Sequence, residues 1–172
     1  TPLSSSAASD VYKRQEVDLI QKACDITEKG FRRVLNYIKP NIWEYDIEAE
    51  FIHEFIKNKS KGFAYQPIIA SGINACSLHY NTNNSICKSG DLILMDVAAE
   101  YSNYKSDMTR TIPVEGKFTK RQLEIYNAVL NVKNKATNIL RPGITINEYH
   151  KEVGKIMELS LIHISEPTRH CL

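Results

Sequence analysis

Residues 90–114 read GDLILMDVAAEYSNYKSDMTRTIPV, and they carry the clearest fold signal in the chain. The turn signal KSGD at residues 88–91 leads into an apolar run that begins at Leu92. An apolar run of this kind is typical of a strand that is covered on both faces. Residues 104–114 alternate more visibly between polar and apolar side chains, so they predict a second strand that returns beside the first.

One acidic residue, Asp96, interrupts the apolar run on the same side of the strand as Leu92 and Leu94. Removing a carboxylate from water costs several kcal/mol unless the charge finds a partner. We therefore expect a buried partner for Asp96. The predicted second strand carries another carboxylate, Asp107, which is the candidate neighbour of Asp96.

The relative position of the two aspartates depends on the turn between the strands. A two-residue turn at residues 102–103 would place Asp96 opposite Thr109 and Asp107 opposite Ala98. Both carboxylates would then lie on one face as diagonal neighbours, roughly 7 Å apart. Ser-Asn is a weaker turn signal than Asn-Gly, so other registers stay open.

Two carboxylates this close repel each other in a poorly solvated sheet, and they either share a proton or share cations. Their hard oxygen ligands favour a hard or borderline divalent ion such as Mn²⁺, and two ions fit if one carboxylate bridges. The alternative is that Asp107 is an exposed strand residue while Asp96 is satisfied by backbone or by Arg110. Arg110 lies on the opposite side of its strand from Asp107.

Helices are predicted on both sides of the strand region. Apolar residues recur every three or four positions over residues 16–40 and 45–59, and β-prone runs follow at residues 67–70 and 77–80. Two further helices open on capping boxes, Thr119 with Gln122 and Thr145 with Glu148. The order helix, helix, strands, helix, helix predicts an α+β fold with helices packed on a mainly antiparallel sheet.

Composition limits the class of protein. The 172 residues suit one domain with one core, and 42% hydrophobic with 24% charged residues is ordinary for a soluble protein. A net charge of +2 does not favour nucleic acid or a membrane surface as partner. Four cysteines without a C-x-x-C pair favour a reducing, cytoplasmic location. No apolar run approaches the roughly 18 residues of a membrane span.

The two ends read differently from the interior. Residues 1–15 and 159–172 show no periodicity that ties them to a core, and both resemble translated adapter or vector sequence. The alternative is that both are native disordered termini. Residues 16–158 are therefore the expected folded part.

Three segments together resemble a known family: ASGINACSLHYN at residues 70–81, GDLILMDVAAEY at residues 90–101 and SDMTRTIPVEGKFTKRQLEIYNAVL at residues 106–130. They are similar to the metallopeptidases of the pita-bread (creatinase/aminopeptidase) fold, and most similar to the Xaa-Pro aminopeptidases, also called aminopeptidase P. The resemblance runs over residues 16–158 and implies the first, N-terminal half of the catalytic domain.

The resemblance also implies the roles of individual residues. It implies that Asp96 chelates one metal ion, that Asp107 bridges two, and that His79 is a catalytic residue that contacts the substrate near the scissile bond. It implies two divalent ions, with Mn²⁺ expected and Co²⁺ or Zn²⁺ as alternatives. The reaction would be hydrolysis of the N-terminal Xaa-Pro peptide bond by a metal-activated water, on peptides with proline at the second position.

The family's remaining metal ligands, a histidine and two glutamates, have no counterpart in this sequence. We therefore expect the chain to be a fragment that is inactive alone, and the full-length enzyme to be a homo-oligomer. The alternatives are a prolidase or methionine aminopeptidase of the same fold, or a metal-free binding module derived from it. Both aspartates are present, and this argues against the binding module.

Overall fold

We analysed a computed structural model that describes residues 5–165, with side chains described for residues 13–160. The chain divides into two compact units, Thr1–Lys117 and Phe118–Leu172. The main hydrophobic core of the described residues lies wholly in the first unit. No helix among the described residues is long and apolar enough to cross a membrane.

The first unit begins with two helices, α1 (Ser5–Tyr37) and α2 (Glu44–Lys57). Helix α1 starts at Ser5, well before the predicted start at residue 16. Alanine has the highest helix propensity, and extending an existing helix adds one hydrogen bond for each residue fixed. Residues 1–4 lie outside the described part. Helix α1 ends three residues before Pro40, as the prediction required.

Six strands form two antiparallel sheets of three strands each. The strands are β1 (Gly62–Phe63), β2 (Ile68–Ser71), β3 (Leu92–Asp96), β4 (Ala99–Tyr101), β5 (Tyr104–Lys105) and β6 (Thr109–Pro113). One sheet has the order β1-β4-β5 and the other β2-β3-β6. The β-prone run at residues 77–80 is not a strand; it follows a short 3-10 helix, Gly72–Cys76. His79 has a φ of 56°, which is incompatible with an extended ladder.

The predicted hairpin register is largely confirmed. Tyr101 pairs with Tyr104 across the turn, and Asp96 pairs with Thr109. The two turn residues, 102 and 103, both have positive φ, as a type I′ turn requires. The hairpin is nevertheless shared between the two sheets, because β3 pairs with β6 and β4 with β5.

The ladder is interrupted between these two halves, and Asp107 lies in the interruption. The prediction that Asp107 pairs with Ala98 inside a strand is therefore wrong. The Val97 N–H donates to the Met108 carbonyl at 3.1 Å, and the Ser106 N–H donates to the Ala99 carbonyl at 3.3 Å. The two segments remain antiparallel across this interruption, but Asp107 is not paired in either ladder.

The core forms on one side of β3. Ile93 and Met95 are fully buried, whereas Leu92 and Leu94 on the other face are half-buried, so one face of the strand is covered more completely than the other. Helix α2 contributes three fully buried apolar side chains, Ile47, Phe51 and Phe55. Burying side chains of this size typically contributes about 1.5 to 3 kcal/mol each.

The second unit contains α3 (Lys120–Ile139) and α4 (Ile146–Ser165). Both capping boxes are present: the Gln122 N–H donates to Thr119 Oγ1 at 3.2 Å, and the Glu148 N–H donates to Thr145 Oγ1 at 3.3 Å. Helix α4 continues through residues 159–165, which were expected to lie in a tail. Residues 166–172 fall outside the described part.

Candidate active site

The two predicted metal ligands, Asp96 and Asp107, lie within reach of a single hydroxyl group. The Tyr65 hydroxyl donates to Asp96 Oδ1 at 2.6 Å, and the same oxygen lies 3.2 Å from Asp107 Oδ1. The two carboxylate oxygens are therefore separated by no more than the sum of these distances. Asp96, at the end of β3, is half-buried, and Asp107 is exposed.

All three side chains lie where the two sheets meet. Phe63 in β1 pairs with Ala99, and Ile68 in β2 pairs with Asp96, so the chain between them crosses from one sheet to the other. Tyr65 is on this crossing, opposite the interruption that releases Asp107. Irregularities in a ladder often lie next to active sites because they change the direction in which a side chain points.

Burial raises the pKa of Tyr65 far above its ordinary value, and the hydrogen bond to Asp96 and the charge of Asp96 raise it further. A smaller effect from the backbone at Met108 opposes this rise in pKa. The phenol therefore remains protonated at neutral pH and acts as a donor. It has only one proton, so it cannot satisfy both carboxylates, and the shorter distance assigns that proton to Asp96.

The sequence alone gave no signal for Tyr65. It lies in a short connection between two strands, and only the pairing of those strands with β4 and β3 brings it to the aspartates. Residues separated by 31 and 42 positions meet here.

Arg110 does not satisfy Asp96 in the way that the alternative interpretation required. Its Nη1 donates to the carbonyl of Thr109 at 2.7 Å, and no ion pair joins it to either aspartate within the described range. Two negative charges thus share one neutral donor, an arrangement that favours a cation. Among the described residues, no group of three or more His, Cys, Asp or Glu side chains could hold a metal ion.

His79 lies on a different segment from the aspartates. It is exposed and has a left-handed backbone, with φ at 56°. No hydrogen bond joins it to Asp96 or Asp107 in the part of the chain described. The segment that carries His79 begins at the end of β2, the strand that pairs with β3. The structure therefore brings Tyr65 to the aspartates, while His79 lies exposed on the segment that follows β2.

A profile of metallopeptidase family M24 matches residues 18–171, nearly the whole chain. This chain belongs to metallopeptidase family M24. The match includes most of the C-terminal segment, residues 159–172, which was expected to lie outside the folded part. Membership of a metallopeptidase family means that the relatives of this M24 chain use a divalent metal.

Relatives of the M24 chain are named Xaa-Pro aminopeptidase. The enzyme of Haemophilus influenzae is 39% identical over 149 residues, which cover 87% of this chain and 35% of the relative. The enzyme of Escherichia coli is 38% identical over 150 residues, with 87% and 34% covered. The chain thus spans about a third of the length of these relatives.

Solved structures confirm the predicted α+β pita-bread fold for the M24 chain. A glutamate-to-alanine variant of Escherichia coli aminopeptidase P in complex with substrate superposes with a TM-score of 0.82 at 38% identity, covering 86% of this chain and 34% of that one. Zinc-substituted aminopeptidase P of the same organism, in complex with product, has a TM-score of 0.81 at 39% identity, covering 86% and 33%.

Proposed function

We propose that this M24 chain supplies part of the active site of an Xaa-Pro aminopeptidase, which removes the N-terminal residue from peptides with proline at the second position. The observation that carries the proposal is the meeting of Asp96 and Asp107 at one tyrosine hydroxyl. The names of the relatives support the substrate class. Because the chain spans a third of their length, the activity is proposed for the full-length protein.

The two aspartates fit a divalent metal by their chemistry. Both carboxylates offer hard oxygen ligands on one side of the hairpin. The single proton of Tyr65 can be donated to only one of them, so Tyr65 does not compensate the charge of the other. We propose that Asp96 and the exposed Asp107 would hold the divalent ions, with Asp107 shared between two, and that Mn²⁺ is expected with Co²⁺ or Zn²⁺ as alternatives. The remaining ligands, a histidine and two glutamates, would lie in a part of the full-length protein that corresponds to the region of the relatives not covered by this chain.

When bound, such ions lower the pKa of water and polarise the carbonyl of the scissile peptide bond. The residues of this chain have supporting tasks. Tyr65 orients the carboxylate of Asp96 by donating its hydroxyl proton, as partners of metal ligands commonly do. His79 would donate a hydrogen bond to the substrate or to the developing oxyanion, and its exposure leaves its ring accessible for that contact.

The cellular setting is part of the same proposal. Cys24, Cys76 and Cys87 are free thiols. Free thiols suit a reducing compartment, so we propose the cytoplasm as the location of the full-length enzyme.

The proposal is tested on the purified full-length protein by measuring bound metal and hydrolysis of an Xaa-Pro peptide. We expect stoichiometric divalent metal and measurable cleavage, with both lost in Asp96→Asn and Asp107→Asn. Asp18→Asn, an exposed change on α1, is the matched control and should retain both. Protein that holds no Mn²⁺, Co²⁺ or Zn²⁺ and cleaves no Xaa-Pro peptide would support the metal-free binding module instead. Cleavage restricted to dipeptides would indicate a prolidase.

A further inference from the structure

Another acidic residue, Glu44, is fully buried in the first unit and has no part in the site described above. It is the first residue of α2, and no ion pair involves it within the described residues. A buried carboxylate without a counter-ion must be compensated by hydrogen bonds. The partners of Glu44 therefore show what it stabilises.

Both oxygens of Glu44 accept hydrogen bonds from a single segment, residues 71–85. Oε1 accepts from the backbone N–H and the hydroxyl of Ser71, each at 2.7 Å, and from Asn74 Nδ2 at 3.2 Å. Oε2 accepts from the Tyr80 hydroxyl at 2.7 Å and from the Ser85 N–H at 3.0 Å. One carboxylate thus fixes the start, the middle and the end of this segment.

His79 lies inside the segment, directly before Tyr80. Its left-handed backbone, with φ at 56°, is disfavoured for any residue with a Cβ, so contacts on both sides must hold it. The segment starts at Ser71, the last residue of β2, and β2 pairs with β3 through Ile68 and Asp96. Glu44 therefore ties the loop of His79 to the strand that lies beside Asp96.

We propose that Glu44 is a positioning residue: its carboxylate holds the Ser71–Ser85 segment so that His79 keeps a fixed place relative to Asp96. The catalytic part of this inference rests on the proposed function, in which His79 and Asp96 serve one site. The positional part rests only on the hydrogen bonds and the backbone conformation.

The geometry explains why an amide cannot replace this carboxylate. Each oxygen of Glu44 accepts a backbone N–H, from Ser71 on one side and Ser85 on the other. Glutamine would turn an N–H donor toward one of these backbone donors in either orientation of its amide. Tyr80→Phe is milder, since it removes one side-chain donor next to His79 and leaves both backbone hydrogen bonds.

The test compares full-length Glu44→Gln and Tyr80→Phe with Glu50→Gln. Glu50 is on the same helix and accepts from Arg33 Nε at 2.5 Å, so it is a matched change away from the segment. We expect hydrogen exchange at residues 72–84 to rise about 10- to 100-fold in Glu44→Gln and less in Tyr80→Phe. Exchange in α1 should stay unchanged in Glu44→Gln and Tyr80→Phe. In Glu50→Gln, whose ion-pair partner Arg33 lies in α1, exchange at residues 72–84 should stay unchanged.

Two further readouts report on His79 itself. The ring resonance of His79 in a histidine-labelled sample, assigned with His79→Gln, should shift or broaden in Glu44→Gln and Tyr80→Phe. In the metal-loaded enzyme, kcat should fall about tenfold or more in Glu44→Gln, with bound metal unchanged. Glu50→Gln should leave the resonance and kcat as in the wild type.

The outcomes separate the two proposals. If the wild-type protein cleaves no Xaa-Pro peptide, the proposed function fails, and exchange and the His79 resonance still decide the role of Glu44. If exchange rises equally in α1 and in residues 72–84, or the His79 resonance does not move, Glu44 has only a general stabilising role and the inference is overturned. Normal kcat in Glu44→Gln would overturn it while leaving the proposed function intact. If Glu44→Gln does not fold, the same readouts in Tyr80→Phe decide.

Discussion

The Tyr65 hydroxyl and the Asp96 carboxylate are joined by a hydrogen bond of 2.6 Å, and this contact fixes the orientation of the predicted metal ligand. The same hydroxyl oxygen lies 3.2 Å from Asp107, so one phenol stands between two acidic groups. Tyr65 thus contacts both carboxylates from the segment that crosses between the sheets, and its single proton is donated to Asp96.

Tyr65→Phe tests this contact directly. It removes the donor while keeping the ring, so we expect metal affinity or kcat/KM of the full-length protein to fall by about 10- to 100-fold. The measurements are metal titration and steady-state hydrolysis of an Xaa-Pro peptide. Tyr104→Phe is the control, because that hydroxyl donates to Glu16 at 2.9 Å, away from the aspartates. Equal activity of the two variants would rule out an orienting role for Tyr65.

Metal removal should reveal the repulsion between the aspartates. Saturation at roughly 100 to 1,000 times the Kd adds about 2.7 to 4.1 kcal/mol to the free energy of unfolding, so a chelator should remove that amount. Asp107→Asn should abolish this difference, and it should leave the metal-free protein as stable as the wild type or more stable, since it removes one of two like charges. Thermal unfolding with and without chelator measures both effects. A chelator effect that persists in Asp107→Asn would exclude Asp107 as a ligand.

Cysteine reactivity should differ sharply between two positions. Cys76 is exposed, whereas Cys87 is fully buried, and burial raises the pKa of its thiol from 9.0 to about 11. The thiolate is the reactive form. We therefore expect iodoacetamide at pH 8 to modify Cys76 rapidly and Cys87 only after unfolding, as followed by peptide mass spectrometry.

The same thiol should make stability depend on pH above neutrality. Because the folded protein holds the Cys87 proton more tightly than the unfolded chain, this stabilisation is complete below about pH 9 and is lost as the pH rises toward 11. We expect the wild type to lose about 1 to 3 kcal/mol more than Cys87→Ala over this interval. Cys76→Ala should follow the wild type, and parallel pH profiles for all three would contradict the assignment.

Two glycines within helices should respond in opposite ways to alanine. A Cβ at Gly30 would lie 2.6 Å from Phe55 Cε1 and 3.0 Å from Phe51 Cδ1, so Gly30→Ala should destabilise by about 1 to 3 kcal/mol. A Cβ at Gly154 meets no atom of the described residues within 4 Å, so Gly154→Ala should stabilise by about 0.5 to 1 kcal/mol. Urea unfolding measures both changes. A neutral result for Gly30→Ala would mean that the phenylalanine rings move aside.

The sequence alone predicted the structural features that depend on local geometry. The turn at residues 102–103 sets the register of the hairpin, and from that register alone Asp96 falls opposite Thr109. The apolar periodicity of α2 likewise identifies Phe51 and Phe55 as core residues. In each case the deciding interactions lie within one helix or one pair of strands.

The sequence alone did not predict contacts between segments that are distant along the chain. Glu44 is indistinguishable in sequence from an acidic residue in the first turn of a helix, and its burial depends on donors 27 to 41 positions away. Tyr65 depends in the same way on two sheets that share one hairpin. The ladder is interrupted at Asp107 because the hairpin is divided between the two sheets. The hydrophobic periodicity of residues 90–114 does not predict this interruption.

The tip of this hairpin should vary little in length among natural versions of the protein. Neighbouring residues on a strand point to opposite sides, so one amino acid inserted at residues 102–103 would carry every later side chain of the returning strand to the other surface. Most surface loops accept such insertions readily. Here a single extra codon would separate Thr109 from Asp96 and move Asp107 away from Tyr65.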